Sequence, residues 1–454
     1  MGWKASQIHK KIDVLNLEWT SGSSRDRVMA TLVCNYLRRQ GLLVRECSVH
    51  DGLNAINGLC PRLLFMTNTI GARENFEIMR YAVQRGVSGV SLIVEGNIRE
   101  GDDELESAMI WGWNHDHVLY EDLHFQWSER ARRITLRQHP ELQGRVLISG
   151  GVGFDNYKIG VSVDRPEILR NFGKARYAKV VGVGCWDFGI FYPEDSRHAI
   201  WGKYYDKSAQ ENFRADGRRF HDLLEQTIMR NPSVLFLLKE HPGVLLGRRA
   251  SGIEGLDSYD NVIILKDELP IDQCIAVSDV WLVYESTTAL EAWLMGRQTA
   301  LLNPSGRDFP RDVLHQGSPD YATADSVCDA LELFFSKGML PGFMERQEKR
   351  DSLIEDVIQW GDGLNHVRAG NEIIELLRQK SALPLKAENA GEQLQRWRQH
   401  VRWVIKSWRA DKSTPYGFSD QEVNEFAAEM RVRQEAFYDH LGLTSADLLS
   451  VRSI

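Results

Sequence analysis

The sequence has no run of eighteen or more apolar residues, so nothing in it predicts a membrane-spanning helix. Its first residues, MGWKASQIHKK, lack the apolar centre of a signal peptide, and the expectation is a cytoplasmic protein. Cysteine is sparse: Cys34, Cys47, Cys60, Cys185, Cys274 and Cys328 are scattered with no CxxC and no Cys/His ligand spacing. That usage fits reduced, mostly buried thiols and argues against a disulfide framework or a zinc site. No GxxxxGK(S/T), HExxH or GxSxG pattern occurs, which leaves P-loop, zincin and α/β-hydrolase chemistry without support. Excess positive charge is missing too: the formal net charge is -8, so nucleic acid is not an expected partner.

What is present is globular. Hydrophobic residues make up 43% and charged residues 26% of a chain of 454, too long for one ordinary core. Short apolar runs alternate with helical periodicity: KIDVLNLEW, LLVRECSV, RLLFMTN, VSGVSLIVEG and RVLISG are strands, with helices over 25–39 and 73–84. A second alternating series begins at KVVGVGCWDFG, continues through a helix over 213–229, and closes with helices around 323–335 and 344–379. From about residue 383 the composition shifts to a linker and then to helices without strands. The expected organisation is a Rossmann-like unit over 1–165, a second over 166–382 and a helical extension over 383–454. Two such units in tandem with a cleft between them define the GT-B architecture, an α/β class.

The richest stretch is 234–304, where the strands VLFLLKE, NVIIL and VWLVY each end in polar residues. Ligands of open α/β sheets bind beyond the carboxyl ends of the strands, so these ends are candidate sites. His241 follows VLFLLKE, and Pro242 stops the backbone there. A histidine so placed can donate to a phosphate oxygen and offset charge on a departing nucleotide; otherwise it is a satisfied turn residue, as expected of His139 before Pro140. Ser286, Thr287 and Thr288 lie between WLVYE and ALEAWLMG, where hydroxyls and helix-end amides suit a phosphate and equally suit capping. Glu291, one turn on, reaches a ribose hydroxyl or is a solvated carboxylate. Glu95 in IVEGN is a candidate general base, or else an exposed acid in an acidic loop. Asp187 in GCWDFG is a second candidate carboxylate, a donor-side nucleophile or a loop residue. Arg25, opening the first helix, is a candidate for an acidic substrate group. The segment LQRWRQHVRWVIKSWR sets Arg and Trp at helical spacing, for a peripheral membrane contact or for packing on a neighbouring domain.

SSRDRVMATLVCNYLRRQGLLV, RVLISGGVGFD, LLKEHP, YESTTALEAWLMGRQTALLNP and LIEDVIQWGDGLNHVRAGNEIIELL occur in the order expected of one group. Over roughly 10–380 the chain resembles GT-B glycosyltransferases of bacterial surface-polysaccharide biosynthesis, in particular those related to sialyltransferases and β-Kdo transferases. It departs at IVEGN, where the family carries two acidic residues before Gly, and at GGVGFD, where Gly-Asn-Pro is commoner. The resemblance makes Glu95 the match to the catalytic carboxylate. It implies a CMP-activated ulosonic acid such as Kdo as donor and a glycan or lipid-linked glycan of capsule or lipopolysaccharide as acceptor. It also implies a metal-independent reaction without a resident cofactor, and the Arg and Trp segment, read as a peripheral contact, would put the protein at the inner face of the membrane. The same fold would serve a CDP-glycerol-type polyol-phosphate transferase, a UDP-sugar epimerase or a non-catalytic scaffold.

Overall fold

The computed structural model describes residues 12–18, 25–70, 72–94, 116–160, 163–191, 206–241, 252–306, 313–381, 384–409 and 420–453, together with Gly96, Ile98, Trp111 and Asn114. Two compact units divide the chain: 1–97 with 106–159 and 356–454, and 98–105 with 160–355.

In the first unit β1 (Val14–Glu18), β2 (Val44–Ser48), β3 (Leu63–Thr67), β4 (Ser88–Leu92), β5 (Leu123–Gln126) and β6 (Val146–Ile148) form one sheet in the order β2-β1-β3-β4-β5-β6. Every pairing is parallel. Parallel strands with helices on both faces must be apolar on both sides, and β1, β3 and β4 are buried throughout. The two-residue period sorts their side chains. Val14, Leu63 and Phe65 meet the helices Arg25–Arg39 and Asn365–Gln379, while Leu15, Leu17, Leu64 and Met66 meet Gly52–Leu59 and Arg73–Gln84.

The C-terminal helices correct the expected boundaries. Residues 356–382, expected to close the second unit, and 383–454, expected as a separate extension, both group with the first unit. Buried polar contacts specify the return. Asn35 Nδ2 donates to Ala427 O (2.9 Å) and Gln434 Oε1 (3.1 Å), and Tyr36 Oη donates to Asn371 Oδ1 (2.6 Å). Asp155, His366 and Tyr438 form a fully buried string, with His366 Nδ1 2.8 Å from Asp155 Oδ2 and His366 Nε2 2.5 Å from Tyr438 Oη. Gly370 lets Tyr36 approach the 365–379 helix: a Cβ there would lie 2.3 Å from the Tyr36 ring.

In the second unit β7 (Lys179–Gly184), β8 (Val234–Lys239), β9 (Val262–Leu265), β10 (Val280–Val283), β11 (Gln298–Leu302) and β12 (Asp320–Tyr321) form a parallel sheet in the order β12-β11-β10-β7-β8-β9. This is the dinucleotide-fold strand order, in which the chain leaves its first strand for one side and later returns to build the other. The reversal falls between β7 and β10.

Candidate functional site

Where strand order reverses, connections leave in opposite directions and open a crevice at the carboxyl ends. In the second unit that point lies between β7 and β10, whose last paired residues are Gly184 and Val283; on the other side Gly184 pairs with Lys239 of β8. Asp187 and Ser286 stand three residues beyond this row, and His241 stands two. Three of the candidates read from the sequence thus come to one sheet edge.

The approach of β10 to β7 depends on two glycines. A Cβ on Gly182 would lie 2.2 Å from the Trp281 ring, and one on Gly184 would lie 2.5 Å from Thr288 Oγ1. With both absent, Trp281 Nε1 donates to Thr288 Oγ1 (3.0 Å), and Thr288 Oγ1 donates in turn to Ser286 Oγ (2.9 Å). The Thr288 amide also donates to Ser286 Oγ (3.2 Å). Both lone pairs of Ser286 are therefore engaged, and its own O–H proton remains as a donor. Ser286 Oγ thus braces the turn that leads into the helix Thr288–Leu294, whose N-cap residue, Thr287, makes no side-chain capping bond. Ser286, Thr287 and Thr288 are half-buried. Among the described residues nothing accepts from the Thr287 hydroxyl or amide.

Carboxylates collect around this turn. Asp187 is 2% exposed, and Glu291 is 4% exposed, which removes the reading of Glu291 as a solvated carboxylate. Glu240, just before His241, and Glu285, just before Ser286, are buried as well. Sequence reading missed both because the neighbouring His-Pro and Ser-Thr-Thr carried the stronger signals. It also missed Asp216, fully buried in the helix Lys207–Arg230, which accepts from Tyr284 Oη (2.8 Å) and Ser305 Oγ (3.3 Å). The available signal was the Asp-Gly pair inside a helix, since Gly217 admits Phe188 with its ring 3.1 Å from a would-be Cβ. Trp186, Phe188, Phe213 and Tyr284, the partner of Asp216, pack on one another, with Phe188 4.8 Å from Tyr284 and Trp186 5.0 Å from Phe213 between ring centroids. This aromatic wall fixes the segments after β7 and β10 together, the rigidity a binding constellation requires. Cys185 does not contribute a nucleophile: burial, then the Glu240 and Glu254 carboxylates, push its thiol far up, away from the reactive thiolate.

Glu95 and Pro242 lie outside the described residues, and only the backbone of Arg25, at the start of the Arg25–Arg39 helix, is described. Gly96, beside Glu95, has a packing reason: a Cβ there would stand 1.8 Å from the Trp127 ring, whose Nε1 donates to Ile93 O (2.9 Å). At the first unit's own reversal, between β1 and β3, sequence reading missed Glu18. This buried carboxylate ends β1 and accepts from Thr67 Oγ1 of β3 (2.5 Å). His139 is a structural turn residue, bonded to His117 (2.6 Å) and Glu141 (3.0 Å). Among the described residues no cluster of three or more His, Cys, Asp and Glu is arranged to hold a metal ion, and no helix is long and apolar enough to cross a membrane.

No protein-family model and no curated protein matches the sequence. Among solved structures the chain is similar to a Listeria monocytogenes protein provisionally assigned as a UDP-N-acetylglucosamine 2-epimerase (TM-score 0.53, 11% identity, 83% of this chain and 100% of that one). It is also similar to a second UDP-N-acetylglucosamine 2-epimerase (TM-score 0.51, 12% identity, 84% and 100%). A third similar structure is S. aureus MnaA with UDP (TM-score 0.51, 12% identity, 83% and 100%). At such identities the likeness defines the fold: a two-domain, GT-B-like α/β protein.

Proposed function

We propose that the chain is an enzyme acting on a nucleotide-activated sugar, with the nucleotide held at the β7/β10 strand ends of the second unit. The observation that carries this reading is the convergence of Asp187, His241 and Ser286–Thr288 at the point where strand order reverses. In this reading the outward O–H of Ser286 and the Thr287 amide bind phosphate oxygens, and His241 donates to the leaving phosphate as charge develops on it. The buried Glu291 carboxylate accepts from ribose hydroxyls, which supply donors without adding charge to a low-dielectric site. Asp187 faces the sugar end of the donor.

The reaction we propose first is glycosyl transfer to a surface glycan, with Glu95 deprotonating the acceptor hydroxyl and Arg25 binding an acidic acceptor group. Sequence resemblance is the support for this choice and for a CMP-activated acidic donor. Epimerisation of a UDP-sugar is the second reading, supported by the likeness in fold to UDP-N-acetylglucosamine 2-epimerases and by the buried carboxylates, which could move a carbon-bound proton. Incubation in deuterium oxide with CMP-, CDP- and UDP-activated donors, followed by proton and phosphorus NMR, separates the two. Nucleotide release, dependent on His241 and Ser286, supports transfer; solvent deuterium at an inverted sugar carbon supports epimerisation. A chain that turns over none of these donors, with or without glycan acceptors, contradicts both.

A further inference from the structure

The helix Ala390–Arg409 is mounted with its polar side inward. Leu53 N donates to Gln399 Oε1 (3.0 Å), and Arg396 donates to Glu388 (2.9 and 3.0 Å) and to Asn54 Oδ1 (3.1 Å). His400 Nδ1 lies 3.2 Å from Asp51 Oδ1, and Trp403, half-buried, packs beside the His400 ring. Residues 396, 399, 400 and 403 share one face at 3.6 residues per turn. The opposite face carries Leu394, Trp397, Val401, Val404, Ile405 and Trp408, a single stripe at i, i+3, i+7, i+10, i+11 and i+14. All but the half-buried Val401 are exposed, Trp397 at 60% and Trp408 at 85%. A surface helix ordinarily turns its apolar stripe toward the body it packs on, and this one turns it away.

Charge identifies the occupant. Between residues 393 and 409 there are five Lys or Arg and no Asp or Glu, in a chain whose formal net charge is -8. Arg398 and Arg402 are exposed and fall on the helix flank next to the stripe. A second copy of the chain is a poor occupant, because a two-fold contact would bring these cationic flanks together with no carboxylate from this stretch to pair them. A lipid surface fits each feature. Tryptophan favours the headgroup boundary, aliphatic side chains enter the acyl region, and arginine stems lie along the surface with guanidinium groups among phosphates. We propose that the outward face of this helix seats the protein on an anionic membrane surface. The proposal does not depend on the nucleotide-sugar reading.

The full chain is sedimented with vesicles of phosphatidylcholine alone and with vesicles containing about one-third phosphatidylglycerol. It is expected to co-sediment with the anionic vesicles and much less with the neutral ones, and raised salt is expected to release it. Each cation is worth about fivefold in partitioning at such a surface, so the double variant Arg398→Gln/Arg402→Gln is expected to bind about 25-fold more weakly. Trp397→Ser/Trp408→Ser is expected to lose at least about tenfold. All four side chains are exposed, so both double variants should melt as the wild type does. No co-sedimentation, or equal binding to neutral vesicles, overturns the proposal. So does self-association in sedimentation velocity that the tryptophan variant abolishes while vesicles bind nothing, since the face would then belong to a second copy.

Discussion

Adding one methyl group at Gly184 tests whether the close approach of β7 to the Ser286 turn holds the site together. The Cβ of Gly184→Ala would stand 2.5 Å from Thr288 Oγ1 and 3.2 Å from Trp281 Nε1. Ordinary carbon contacts begin near 3.5 Å, so Thr288 must retreat by roughly 1 Å. That movement breaks the hydrogen bonds running from Trp281 through Thr288 to Ser286. Overpacking costs about 1–3 kcal/mol and the lost hydrogen bond about 1 kcal/mol. The reduced freedom of the unfolded chain offsets about 0.4–1 kcal/mol of this. The expected net loss is about 1–3.5 kcal/mol, a fall in melting temperature of roughly 2–14 °C for a unit of this size. Scanning calorimetry of Gly184→Ala, Thr288→Ala and the double variant measures it. Because the clash is with Thr288 Oγ1, the double variant is expected to be more stable than the sum of the single losses predicts, by about 0.5–3 kcal/mol. A Gly184→Ala protein that melts with the wild type, or strictly additive losses, would refute the reasoning.

Other consequences concern the first unit. Tyr438→Phe removes the hydroxyl that partners His366 Nε2 and strands a fully buried nitrogen, an expected loss of about 1–3 kcal/mol in urea unfolding. Burial pushes the Tyr36 phenol up to about 12, above its ordinary value of 10.0. A folded value above the unfolded one gives a contribution fully present below pH 10 and lost as pH rises toward 12, about 2–3 kcal/mol in all. Urea unfolding across that window should show the decline, and Tyr36→Phe should show less of it. Ser286→Ala should leave the melting temperature within about 2–4 °C of wild type, since it removes a half-buried acceptor worth about 1 kcal/mol.

Strand and helix alternation was legible because parallel strands buried on both faces read as unbroken apolar runs, as in VLFLLK and VWLV. The strand ends were legible for the same reason: polarity resumes abruptly at Asp187, at Lys239 ahead of His241, and at Glu285 ahead of Ser286. What stayed hidden depends on contacts between residues hundreds of positions apart. Nothing local in 420–440 says that Gln434 meets Asn35, and so the return of the C-terminal helices to the first unit was not readable. The Arg and Trp periodicity of 394–408 announces a stripe but not its direction, which is set by Asp51, Asn54 and Glu388. Glu18 escaped notice because an acid at a strand end reads as solvated, and only the fold encloses it.

The central claim is that the β7/β10 strand ends of the second unit hold a nucleotide, and calorimetric titration of the full chain with CMP, CDP and UDP tests it most directly. The account predicts saturable one-site binding of at least one of them, weakened about 10- to 100-fold in Ser286→Ala, the cost of one hydrogen bond to a charged phosphate. Heats indistinguishable from dilution for all three nucleotides, or equal affinity in wild type and Ser286→Ala, would contradict it.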